Sequence, residues 1–94
     1  MPGRVSPEEA KRLVANGARL IDVRTPAEFA EKHIPGAKNI PIGELDHRLA
    51  ELEPKDAPVV LYCRSGSRSS SGVRLLEKRG FTRIYNLGAM SQWR

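Results

Sequence analysis

The chain has one cysteine, five aromatic residues and no long apolar run. Each shortage excludes something. A single thiol, Cys63, cannot close an internal disulfide, and a free thiol persists most easily in a reducing compartment. A multi-cysteine zinc site is excluded as well. The two histidines, His33 and His47, lack ligand spacing with Cys63, so no metal and no cofactor is expected. No apolar stretch approaches the ~20 residues that span a bilayer. The opening "MPGRVSPEEAKR" has no apolar core of a secretory leader. A cytoplasmic protein without a membrane partner is therefore expected. Sparse aromatics and the lack of a lysine-rich tract argue against nucleic acid.

Acid is scarce in one half only. Over residues 1–56, nine Lys/Arg face ten Asp/Glu. Over 57–94, seven cations face one acid, Glu77. The net charge of +5 thus resides in the half that contains Cys63, and that half attracts anions.

Local signals are well placed. "SPEE" offers Ser6 as N-cap, Pro7 at the first helical position and Glu9 to close a capping box, for a helix reaching about Asn16. "TPAE" repeats the device with Thr25, Pro26 and Glu28, for a short helix ending near His33. Leu45, Leu49 and Leu52 predict a third helix over 42–52, and Arg68 to Arg79 form the fourth. His47 falls on a polar face of the third. Segments 19–23, 38–41, 58–63 and 83–87 read as strands. Their alternation with helices predicts a single α/β domain over residues 1–94: a small parallel sheet with helices on both faces, three layers in all.

The chemistry concentrates in "VVLYCRSGSRSSSG". Ligands bind beyond the carboxyl ends of the strands in such sheets, and Cys63 ends the most apolar one. Taken alone, a cysteine there is usually an inert core residue. The residues after it, Arg64, Ser65, Gly66, Ser67, Arg68 and Ser69, include no bulky apolar group to pack the loop inward. Gly66 allows a positive φ. A loop curling around the sulfur aims successive N–H groups at one point, and the following helix adds its N-terminal partial charge. These groups, with two arginines, favour a nucleophilic thiolate and an anion beside it. Cysteine phosphatases space nucleophile and arginine as C-x5-R, whereas Cys63 and Arg68 are one residue closer. The shorter loop encloses less space, better suited to one extra sulfur than to a phosphoryl group.

"LIDVRTPAEFAEKHIPGAKNIP", "VVLYCRSGSRSS", "LLEKRGFTRIYNLGAM" and Trp93 together resemble a single-domain rhodanese, a thiosulfate sulfurtransferase. The resemblance implies a rhodanese-like fold and a persulfide relay. Cys63 takes the outer sulfur of thiosulfate, N–H groups of residues 64–69 stabilise it, and cyanide or a thiol, thioredoxin included, removes it. Arg64 and Arg68 match positions that face the anionic donor. Asp22, Arg24 and His33 match "DVR" and "HIPGA". They are expected in structural support, with Asp22 placed to pair with a loop arginine. Gly88-Ala89 stands where the family usually has two glycines, and the Ala89 methyl is expected to restrict that turn. A monomer is expected. The alternatives are a persulfide carrier serving a partner enzyme and, less favoured by loop length, a small cysteine phosphatase or arsenate reductase.

Overall fold

The computed structural model describes residues 4–93; Arg94, one of the seven cations of the basic half, lies outside them. Four strands, β1 (Arg19–Asp22), β2 (Lys38–Asn39), β3 (Val59–Cys63) and β4 (Ile84–Ala89), form one sheet in the order β2-β1-β3-β4. Every neighbouring pair is parallel. Helices α1 (Pro7–Ala15), α2 (Pro26–Glu31) and α3 (Ser67–Lys78) complete the α/β architecture. No helix among the described residues is long and apolar enough to cross a membrane.

Both predicted N-caps form, but Glu9 does not close a capping box, because its carboxylate pairs with Arg12 instead. Ser6 accepts from the Glu9 N–H at 3.1 Å. Thr25 and Glu28 exchange both bonds of a capping box. Such caps are each worth ~1 kcal/mol. The predicted third helix is instead two 3₁₀ segments, Ile42–His47 and Leu49–Leu52, interrupted at Arg48 (φ −123°, ψ 26°). The leucine spacing explains the break. With three residues per turn, Leu49 and Leu52 share a face, whereas Leu45 is four residues from Leu49. A non-helical Arg48, whose guanidinium holds Glu44 and Glu51, restores the phase. Leu45 and Leu52 are then both fully buried. The second strand is shorter than expected because Pro41 follows closely and lacks an N–H.

Period-two alternation along β3 divides the core. Val59, Leu61 and Cys63 face one side with Leu45, Leu52, Val73 and Leu76. Val60 and Tyr62 face the other, with Ala10, Leu20, Ile34 and Leu87. Cys63 therefore faces the α3 side. Helix α3 comes close to the sheet because residue 72 is glycine: a Cβ there would lie 2.9 Å from Leu61 Cδ1. This close approach sets the α3 N-terminus beside the end of β3.

Candidate active site

Cys63 is fully buried at the carboxyl end of β3. The chain then turns at Gly66, whose φ of 102° is open to glycine and costly for other residues. The Gly66 N–H donates to Cys63 Sγ at 2.9 Å, and the Ser69 N–H points at it from 3.4 Å. Ser69 Oγ lies 3.5 Å from the same sulfur. Burial pushes the thiol pKa up, but the Ser69 hydroxyl and the N–H groups of Ser69, Gly66 and Ser65 outweigh it, and the net shift is down. Of the loop N–H groups, those of Gly66 and Ser69 thus converge on the sulfur.

Beneath the cradle is a polar network. The Gly66 carbonyl accepts from Ser69 Oγ (3.0 Å), Ser70 Oγ (2.8 Å) and the Ser70 N–H (3.0 Å). Asn86 Nδ2 of β4 donates to Ser70 Oγ at 3.1 Å. Ser70 and Asn86 were not among the sequence candidates. A serine run after a glycine signals a helix start without showing which hydroxyl turns inward. Ser67 is exposed, and Ser65 is exposed at the loop crest.

The two loop arginines part company. Arg64 is exposed at the rim. Arg68 turns to Glu28 in a two-point ion pair at 2.8 and 3.1 Å. The pairing of a loop arginine with Asp22 is therefore corrected: Asp22 is committed elsewhere. Its carboxylate, fully buried, receives the Arg24 N–H (2.8 Å), Nε (3.0 Å to each oxygen) and Nη2 (2.7 Å). Arg24 Nη2 also donates to the Lys32 carbonyl at 2.5 Å. Asp22 and Arg24 thus brace the chain beyond β1 against the turn after α2, without a hydrogen bond to the loop among the described residues. Glu28 was read only as a capping residue. That signal hid its second task, holding Arg68. The Arg68 hydrogen bonds, followed by the Thr25 N–H, lower its carboxyl pKa to about 2.

His33 lies on the surface. Its Nδ1 bonds the Phe29 carbonyl at 2.8 Å, and its ring stacks on Phe29 with centroids 3.7 Å apart. It stands with Arg64 in the wall of a groove whose lining does not include Cys63. The expected restriction at Ala89 is absent. Gly88 takes the positive φ (87°), and Ala89 is extended (φ −80°, ψ 136°), which any residue adopts. Gly88 is itself crowded, because a Cβ there would lie 2.7 Å from Arg4 Nη2. Among the described residues no group of three or more His, Cys, Asp or Glu could hold a metal.

A parallel α/β sheet that presents one buried thiol to converging N–H groups at a helix start defines a class of cysteine-loop proteins. Within that class, residues 6–94 match the Rhodanese-like domain, and the chain belongs to that family. Protein YqhL of Bacillus subtilis (strain 168) is 46% identical over 92% of this chain and 68% of its own length. Thiosulfate sulfurtransferase GlpE of Pseudomonas aeruginosa (strain LESB58) is 36% identical, with 97% of this chain and 83% of that protein covered. The solved structure of the human single-domain sulfurtransferase TSTD1 superposes with a TM-score of 0.84 at 32% identity, covering 99% of this chain and 96% of that one.

Proposed function

We propose that this protein transfers sulfane sulfur through a persulfide on Cys63, with thiosulfate as donor and cyanide or a thiol as acceptor. The supporting observation is the buried sulfur that receives the Gly66 and Ser69 N–H groups, with its pKa below the ordinary thiol value despite burial. In the first half-reaction the Cys63 thiolate bonds the outer sulfur of thiosulfate. The S–S bond of the donor breaks, and its electron pair leaves with sulfite. The charge then sits on the outer sulfur of the enzyme persulfide, where N–H donors and the α3 N-terminus favour it. In the second half-reaction an acceptor takes that sulfur and returns Cys63 as thiolate, a ping-pong cycle. Because the chain has no second thiol, the acceptor comes from outside.

The spacing of Cys63 and Arg68 also supports this reading over phosphoryl transfer. The loop between them is one residue shorter than C-x5-R, and so encloses less space than a phosphoryl group asks for. We place the activity in the cytoplasm, in a monomer acting as one domain over residues 1–94.

Intact mass after thiosulfate treatment tests the reading. One covalent sulfur adds about 32 Da, and addition of cyanide then yields thiocyanate and restores the original mass. Cys63→Ser is expected to lose both. Turnover undiminished in that variant would remove Cys63 from the chemistry.

A further inference from the structure

Residues 4–6 lay a short arm along β4. Arg4 bridges to Asn86 in parallel register, and the Val5 N–H donates to the Asn86 carbonyl at 3.2 Å. Ser6 then caps α1, which fixes the arm from its other side. Period-two alternation sends its side chains to opposite faces of the sheet. Val5 packs with Leu20, Val60 and Leu87. Arg4 faces the α3 side, as its bridge partner Asn86 does in donating to Ser70. That is also the side of Cys63.

Two glycines let Arg4 reach the cradle. A Cβ on Gly88 would meet Arg4 Nη2 at 2.7 Å, Cζ at 2.9 Å and Nη1 at 3.0 Å. Three atoms at nearly one distance place the guanidinium broadside over residue 88. A Cβ on Gly66 would point into the same space, 3.7 Å from Gly88 Cα and 3.9 Å from Arg4 Nη1. Gly66 is the residue whose N–H donates to Cys63 Sγ at 2.9 Å. Its carbonyl is anchored by Ser69 and Ser70, whereas its Cα faces Gly88 and the Arg4 cation. The other charged groups near Cys63 are engaged elsewhere or stand at the rim. Arg68 is paired with Glu28 and Asp22 with Arg24, and Arg64 is exposed. From β4 the titratable side chain is Tyr85, which packs on the opposite face. Among the described residues no carboxylate pairs with Arg4.

We infer that Arg4 is a positioning residue for Cys63: its guanidinium holds the Gly66 turn from behind and lends positive charge to the sulfur through that turn. Glycine makes the turn possible and also makes it the loosest point of the loop. A broad cation laid over it restricts that freedom. The same cation adds to the field of the N–H groups and favours the thiolate over the thiol. Arg4 acts through Gly66 and not on the reacting atoms. Its effect on the sulfur follows from the cradle geometry, and its catalytic consequence rests on the sulfur-transfer reading above.

The test titrates alkylation of Cys63 by iodoacetamide against pH, since the thiolate is the form that reacts. Arg4→Gln, at an exposed position, is expected to raise the midpoint by about half a pH unit, the size of one partly screened charge. Arg4→Lys keeps the charge without the broad plane and is expected to recover part of the shift. The gap between wild type and Arg4→Gln is expected to narrow in about 1 M salt, where screening acts within ~3 Å. Arg83→Gln, exposed at the opposite end of β4, removes the same charge and is expected to leave the midpoint in place. A midpoint unmoved by Arg4→Gln, or moved equally by Arg83→Gln, would overturn the assignment. So would a fall in Tm alone, the mark of an arm that only braces the fold. Below the midpoint, thiosulfate–cyanide turnover is expected to drop about threefold in Arg4→Gln, by the half-unit shift, and to recover at higher pH. If the midpoint shifts but wild type yields no thiocyanate, the Arg4 assignment stands and the sulfur-transfer reading falls. If thiocyanate forms and the midpoint is unmoved, the Arg4 assignment falls alone.

Discussion

Two arginine–carboxylate pairs stand near the mouth of this sheet, and they are built for different work. Asp22–Arg24 is sealed, with side chains 0% and 6% exposed. The Nε and Nη2 donors of that guanidinium face local acceptors, and the pair ties the end of β1 to the turn after α2. Glu28–Arg68 is half open, with 27% and 32% exposure, and spans two elements far apart in sequence. A sealed pair removed from water is costly to break, because the surviving partner is left charged and dry. An open pair is screened, and either partner can turn to solvent or to a ligand. The sealed pair belongs to the frame and the open one to the site.

The largest expected effect breaks the frame. Asp22→Asn leaves Arg24 buried opposite a neutral amide and is expected to cost about 3–5 kcal/mol. For a domain of this size that lowers Tm by more than ~10 °C in a thermal melt. A loss near that of an ordinary surface change would place Asp22 in the same category as Glu28.

The next effect is on the site. Arg68→Ala removes a cation and also leaves Glu28 as an unneutralised carboxylate facing an anionic donor. Thiosulfate kcat/KM is expected to fall by about ten- to a hundred-fold, by the worth of one charge-assisted contact, with little change in Tm. Arg64→Ala, at the exposed rim, is expected to lower thiosulfate kcat/KM by less than Arg68→Ala does. Equal effects of the two alanines on thiosulfate would erase the distinction between them.

The smallest effect concerns acid. The Glu28 carboxyl is held at about 2 by the Arg68 hydrogen bonds and the Thr25 N–H, below its unfolded value of ~4.3. A carboxyl depressed in the folded state stabilises above the unfolded value, and that contribution fades as pH falls towards 2. Glu28→Gln is therefore expected to lower Tm modestly near neutrality, by a difference that shrinks away as pH falls from about 4 to 2. An acid limb identical to wild type would show that the open pair adds nothing to stability.

Much of this was legible in the sequence, for identifiable reasons. Ser6 and Thr25 declare their caps because capping chemistry is local. Gly66 and the serines declare a cradle because bulky side chains are missing. The run from Val59 to Cys63 declares a buried strand by its unbroken apolarity. What escaped was set by tertiary contact. Leu45, Leu49 and Leu52 fit a helix on paper, and only the need to bury both Leu45 and Leu52 divides it at Arg48. Glu28 and Asp22 are both carboxylates within reach of a loop arginine in any plausible fold. Which one takes it depends on Arg24 already filling the oxygens of Asp22. The groove joins residues 32–35, 64, 90, 91 and 93, separations that no local pattern reports.

The carbonyl of Gly66 has one more suitor than it needs. Two lone pairs face three donors, from Ser69 Oγ, Ser70 Oγ and Ser70 N–H. The surplus amounts to a reserve of one hydroxyl proton stored next to the sulfur. When Cys63 gives up its own proton, the Ser69 hydroxyl can swing its hydrogen to the thiolate and orphan nothing, since Ser70 keeps both lone pairs occupied and Asn86 steadies Ser70 from behind. When sulfur is delivered and the charge moves outward, the same hydrogen can return. The loop thereby meets two charge states with one rotating bond and a still backbone.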